Sequence, residues 1–131
     1  MRNPRVWPNA AEELCRYLIP LLPVSVRQNH IPAPRPDVCV VVRRVGTIGS
    51  AEWIDRAVLD VEVWGGRPGD GPNAANQLAA EVRELLYAMP EAANPVTRVI
   101  VSGPDWLPDP ESGAPRVYVR VEAWLKPTAP M

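Results

Sequence analysis

The sequence predicts an α+β fold, a small antiparallel or mixed β-sheet packed on one side by two helices in the order α-β-β-β-α-β-β. Three observations predict it. Two segments carry apolar residues at helical spacing, two others alternate apolar and polar residues with period two, and the remaining apolar runs are short, β-branched and bounded by glycine or proline. Interleaving amphipathic strands with only two helices favours an antiparallel or mixed sheet over a doubly wound parallel one.

The first helix is expected from about Ala10 to Ile19. Asn9 with Glu12 three residues later has the form of a capping box, and Ala11, Leu14, Cys15, Leu18 and Leu22 follow at helical spacing. Pro20 and Pro23 close it, because proline lacks an amide hydrogen and pushes its predecessor out of helical geometry. A short strand is expected at Val24 to Arg27. The segment around residues 30–37, with Pro32, Pro34 and Pro36 in alternation, reads as an extended arm or loop. Val38 to Val45 is nearly all β-branched and reads as a buried strand, with Gly46 to Ser50 as turn residues after it.

From Arg56 to Trp64, Leu59, Val61 and Val63 fall on one face and Asp60, Glu62 and Trp64 on the other. A glycine and proline loop, Gly65 to Pro72, precedes a helix capped by Asn73 with the apolar stripe Ala75, Leu78, Ala79, Val82, Leu85, Leu86 and Met89. Pro90 and Pro95 end it. Thr97 to Ser102 reads as a strand, Gly103 to Pro115 as a loop, and Arg116 to Leu125 as the clearest strand of all. There Val117, Val119, Val121, Ala123 and Leu125 face one way, and Tyr118, Arg120, Glu122 and Trp124 the other. A proline-containing tail near residues 126–131 is expected to be flexible.

The 131 residues suit one domain, 1–131, large enough to bury a core. Fourteen basic residues against fifteen acidic ones leave a net charge of -1, with no surplus to attract nucleic acid or anionic lipid. No apolar run approaches the roughly 20 residues that span a bilayer, and Met1 to Arg5 is not followed by a signal-like hydrophobic region, so a cytoplasmic, membrane-free life is expected. Cys15 and Cys39 are too few and too far apart for a disulfide framework or a zinc site, and are expected as small buried groups.

Candidate chemistry is sparse. Gly69, Gly71 and Ala74 satisfy the bare dinucleotide fingerprint, but Pro72 intrudes on the turn and the preceding strand has a charged face. Ser25, Ser50, Ser102 and Ser112 lack the flanking residues of a nucleophile elbow, and His30, the sole histidine, stands in the proline arm. Asp105, Asp109 and Glu111 do not have the spacing of a calcium loop. Asp60 and Glu62 are expected to be neutralised across the sheet by Arg120. The sequence thus assigns no catalytic residue, no cofactor and no metal ligand.

Tryptophan usage is what remains. Trp53 and Trp106 fall in predicted loops, and Trp64 and Trp124 on the polar sheet face, positions that a single small core would not require. Buried aromatic anchors dominate protein interfaces, so an assembly surface is expected. Its candidates are Trp53, Asp60, Glu62, Trp64, Arg67, Asp70, Trp106, Asp109, Tyr118, Arg120, Glu122 and Trp124. A small ligand-binding regulatory module, rimmed by the glycine loop, is the alternative from a different class.

The run Val41, Val42, Arg43, Arg44, Val45, Gly46, followed by Asp55 to Trp64, resembles the central hairpin of the tail-terminator proteins of long-tailed bacteriophages. Ala75, Leu78, Ala79, Val82, Arg83, Leu85 and Leu86 resemble that family's long helix, and Gly103, Pro104, Trp106, Leu107, Pro108 and Asp109 before the last strand resemble its closing segment. The likeness runs from Val38 to Leu125. It implies a structural virion protein that assembles with itself into a closed ring, typically a hexamer, at the head-proximal end of the tail. Such a ring stops growth of the major tail tube protein and presents a docking surface to head-completion or connector proteins. DNA would pass through the lumen without specific binding. A related neck component would share these features.

Overall fold

The computed structural model describes residues 5–128. Helix α1 (Ala10–Leu18) is followed by a 3₁₀ turn (Ile19–Leu21), then by strands β1 (Ser25–Gln28), β2 (Val38–Ala51) and β3 (Ile54–Gly65). Helix α2 (Asn73–Ala88), a second 3₁₀ turn (Met89–Glu91), and strands β4 (Val96–Trp106) and β5 (Arg116–Leu125) complete the order. The predicted α+β class and succession of elements are those observed. The sheet order is β1-β2-β3-β5-β4, with β1 parallel to β2 and every other pair antiparallel.

Both helices lie on one face. Leu14 and Leu18 of α1, and Ala75, Ala79, Val82 and Leu86 of α2, pack on Val40, Val42, Leu59, Val61, Val63, Val119 and Val121. The period-two alternation of β3 and β5 supplies that apolar side of the sheet. Gly65, at the end of β3, allows α2 to approach closely, since a side chain there would meet the Ala75 backbone at 2.4 Å.

Asn9 caps α1 as expected, its Oδ1 accepting from the Glu12 amide at 3.0 Å. The reciprocal half of the capping box is replaced by an ion pair, with Glu12 turned to Arg16 at 2.8 Å. Asn73 does not cap α2. It is the first helical residue, behind Pro72, whose carbonyl accepts from the Asn76 amide.

Two boundaries differ substantially from the sequence reading. Gly46 to Ser50 is strand, not turn: β2 continues to Ala51, and the chain reverses only at Glu52 and Trp53. The ladder absorbs this stretch through two irregularities, between Arg44 and Gly46 and between Thr47 and Gly49, which leave Val45 and Ile48 as extra residues. Likewise Gly103 to Trp106 is not loop but the end of β4, reached through a break between Ser102 and Asp105. Gly103 has φ +97 there, and a side chain would lie 2.7 Å from the Tyr118 carbonyl, which glycine alone accommodates.

The predicted flexible tail is anchored in its described part. The Lys126 amide donates to the Pro95 carbonyl, and Thr128 pairs with Val6 as an isolated antiparallel bridge. Residues 129–131, and residues 1–4 of the reading of the N-terminus, lie outside the described residues.

Candidate functional site

The sheet face turned away from the helices carries most of the candidate residues, and its strand register sorts them into pairs. Arg43, Asp60 and Arg120 are neighbours across β2, β3 and β5, as are Val41, Glu62 and Tyr118. The Arg120 guanidinium holds the Asp60 carboxylate with two bonds of 2.9 and 3.2 Å. Glu62, 4% exposed, accepts from Arg43 Nε at 2.5 Å. Arg43 also donates to the Asn29 carbonyl, tying the start of the proline arm to the sheet. Glu122 takes Arg56 at 2.6 Å. The expected neutralisation by Arg120 therefore holds for Asp60, while Arg43 serves Glu62. Burial, with Glu62 nearby, raises the Tyr118 phenol above its ordinary pKa.

Trp64 does not stand on an exposed polar face. It is 3% exposed and forms a second, smaller apolar cluster with Cys39, Val41 and Ala114 on this side of the sheet. Guanidinium groups of Arg35 and Arg116 lie 4.7 and 5.0 Å from its ring centre. Arg35 belongs to the proline arm and donates to the carbonyls of Pro36, Asp37 and Gly66 at 2.7, 3.1 and 3.4 Å. The Gly66 amide in turn reaches the Asp37 carbonyl at 2.9 Å. The arm is thus pinned over Trp64, and burial within this chain accounts for a residue that sequence reasoning reserved for a partner. Trp124 is half-buried between Arg56 and Arg98 at 4.9 and 5.0 Å.

Trp53 and Trp106 are open. Trp53, 61% exposed, sits at the β2–β3 turn with Arg5 stacked 3.6 Å from its ring centre. Trp106 and Leu107, both about half exposed, mark the far end of β4. Through the register, Trp106 is level with Val117, Val63 and Val40, at the opposite end of the sheet from Trp53. Between the two ends runs a strand of some nine residues, roughly 30 Å.

The remaining candidates organise loops. Asp70 accepts from the Arg67 amide at 2.8 Å, and Arg67 pairs with Asp37 at 3.1 Å in full solvent. Asp109 accepts from the Ser112 amide and hydroxyl at 3.0 and 2.6 Å, bonds that hold its carboxyl below the usual carboxylate range. Sequence reasoning took Thr47 to Trp53, which holds the exposed Ile48, as a contact segment, but missed the exposed Val45 and Ile100; Val45 and Ile48 stand at the β2 irregularities. Only the glycines at 46 and 49 hinted that this strand departs from regular pleating.

Among the described residues no group of three or more His, Cys, Asp or Glu side chains is placed to hold a metal ion. The Cys15 thiol is buried, and burial with, secondarily, Glu12 pushes it up to about 11. β3, which leads into the Gly69–Gly71 loop, is antiparallel to both neighbours, so that loop is not the first turn of a parallel βαβ unit. No helix among the described residues is long and apolar enough to cross a membrane. Compared with known proteins, the sequence matches no family model and no curated protein.

Proposed function

We propose that this chain is a structural subunit of a phage tail, a terminator that assembles into a ring on the head-proximal end of the tail tube, stops tube growth and receives head-completion proteins. One observation carries the reading furthest. The sheet exposes a tryptophan at each of its two ends, Trp53 at the hairpin turn and Trp106 with Leu107 opposite, as a subunit sandwiched between two different partners would. The resemblance of Val38 to Leu125 to tail terminators supports the same role. The net charge of -1 is compatible with DNA sliding through a lumen, which a strongly basic ring would oppose by counterion release. No catalytic step, cofactor or membrane belongs to this function.

The test is electron microscopy of particles made after the reading frame is deleted from its parent phage or prophage. Overlong tubes without heads are expected. Tails of normal length that fail to join heads would move the chain to head completion, and normal virions would sink a role in tail assembly.

A further inference from the structure

The sheet has two open edges, and they lie at the same height. β1 covers the outer side of β2 only from Cys39 to Val42. From Arg43 to Ala51 that side of β2 has no strand partner among the described residues, and β4, at the other end of the strand order, has β5 on one side only. Following the register across the sheet, Gly49 is level with Arg56, Trp124 and Arg98; Gly46 with Val58, Glu122 and Ile100; Arg43 with Asp60, Arg120 and Ser102. The uncovered stretch of β2 is therefore level with β4 from about Val96 to Ser102. Beyond Ser102 the β4 ladder is broken around Pro104, which offers no amide hydrogen, and this is the height at which β1 begins to cover β2.

Direction matches as well. β2 and β5 run one way, β3 and β4 the other. A second copy turned about an axis along the strands keeps these directions, so its β4 meets β2 antiparallel, the commoner pairing. The side chains suit such an approach. The irregularities in β2 leave Val45 and Ile48 about half exposed, Ile100 is about half exposed on β4, and at Gly46 and Gly49 nothing lies within 4 Å of where a side chain would begin. Open edges of this length with apolar side chains invite uncontrolled association unless they are covered.

We propose that the distal half of β2 pairs antiparallel with the Val96–Ser102 edge of β4 in a second copy of this chain, with Gly46 of one copy beside Ile100 of the next. The contact joins two different patches of the same chain, so it propagates by rotation and ends only when the ring closes. Closure rests on the ring reading above; the pairing rests on the register.

Cysteine cross-linking of the full chain tests it. Gly46 and Ile100 are both at register positions on the sheet face away from the helices, and within one chain they are separated by β3 and β5. Three strand spacings make roughly 14 Å, beyond the Cα separation of about 7 Å that a disulfide spans. A 46–100 disulfide in the double variant Gly46→Cys, Ile100→Cys must therefore join two chains, and the native Cys15 and Cys39 are buried. Mild oxidation is expected to give a ladder of covalent oligomers, with the 46–100 linkage identified by mass spectrometry, while each single variant gives dimers at most. Thermal unfolding of the reduced double variant checks that it folds. Rings seen by microscopy without that linkage would overturn the edge pairing and leave the ring standing. A chain that stays monomeric without the linkage also overturns the pairing, and the deletion phenotype then decides the ring by itself.

Discussion

The two halves of the β2–β3 hairpin share a ladder yet live in opposite environments. At its base the outer face is roofed: Arg35 of the proline arm lies over Trp64 and donates to the Gly66 carbonyl as well as to two carbonyls of the arm, and Cys39, Val41 and Ala114 complete a buried apolar cluster. Toward its tip the same two strands run without β1 beside them, Ile48 is 51% exposed and the turn presents Trp53. Aromatic content does not separate the halves. What separates them is how closely a returning segment covers them: the arm leaves Trp64 3% exposed, whereas Arg5 at the tip leaves Trp53 61% exposed, and that teaches which apolar groups serve folding and which are left for association.

Truncation of the two tryptophans breaks this comparison most sharply. Trp64→Ala removes a buried ring from a small apolar cluster, and a loss of about 3–5 kcal/mol is expected in denaturant unfolding. Trp53→Ala, at an exposed turn, loses its stacking with Arg5 and should cost only about 0.5–1 kcal/mol. Equal losses for the two would show that the base of the hairpin is not a core.

A smaller effect is expected from Arg35→Ala. It removes the hydrogen bonds that pin the arm and one of the two guanidinium groups over Trp64. The cost should be about 1–2 kcal/mol, from charge-assisted hydrogen bonds and a cation–π contact, both partly screened by solvent. Hydrogen exchange sharpens it: the Gly66 amide, bonded to the Asp37 carbonyl, should lose protection before the β3–β5 ladder does. Unchanged protection at Gly66 would mean that the arm stays in place without Arg35.

The helices, the sheet and its two faces were legible because local rules set them. Asn9 capped α1, period two placed Leu59, Val61 and Val63 inward, and prolines ended both helices near where they were expected. The errors came where a distant segment decides. Nothing near Trp64 in sequence tells that residues 30–37 will fold over it, since the contact is made by Arg35 nearly thirty positions away. Gly46 to Ser50 read as a turn because glycine and serine favour turns locally, whereas the long β3 opposite keeps the stretch paired through two bulges. The candidate surface was half legible for the same reason: composition located Trp53 and Trp106, but exposure of Val45 and Ile48 arises from bulges that hydrophobic alternation does not encode.

Those bulges allow the finest test of the contrast between base and tip. Ile48→Lys places a charge on an exposed bulge of an edge strand, the device by which native edges avoid pairing. Ile48 is 51% exposed and belongs to neither buried cluster, so stability should stay within about 0.5 kcal/mol of the native chain. Self-association, read by sedimentation velocity across a concentration series, should nevertheless weaken by at least tenfold, because the lysine must be desolvated against the neighbouring β4. Lysine at the exposed Ile19, on the helix side of the molecule, is the control and should leave association unchanged. If both substitutions weaken association equally, the hairpin tip has no special part in assembly; if only Ile48→Lys does so while unfolding is unaltered, the exposed half of the hairpin serves association as its covered half serves the fold.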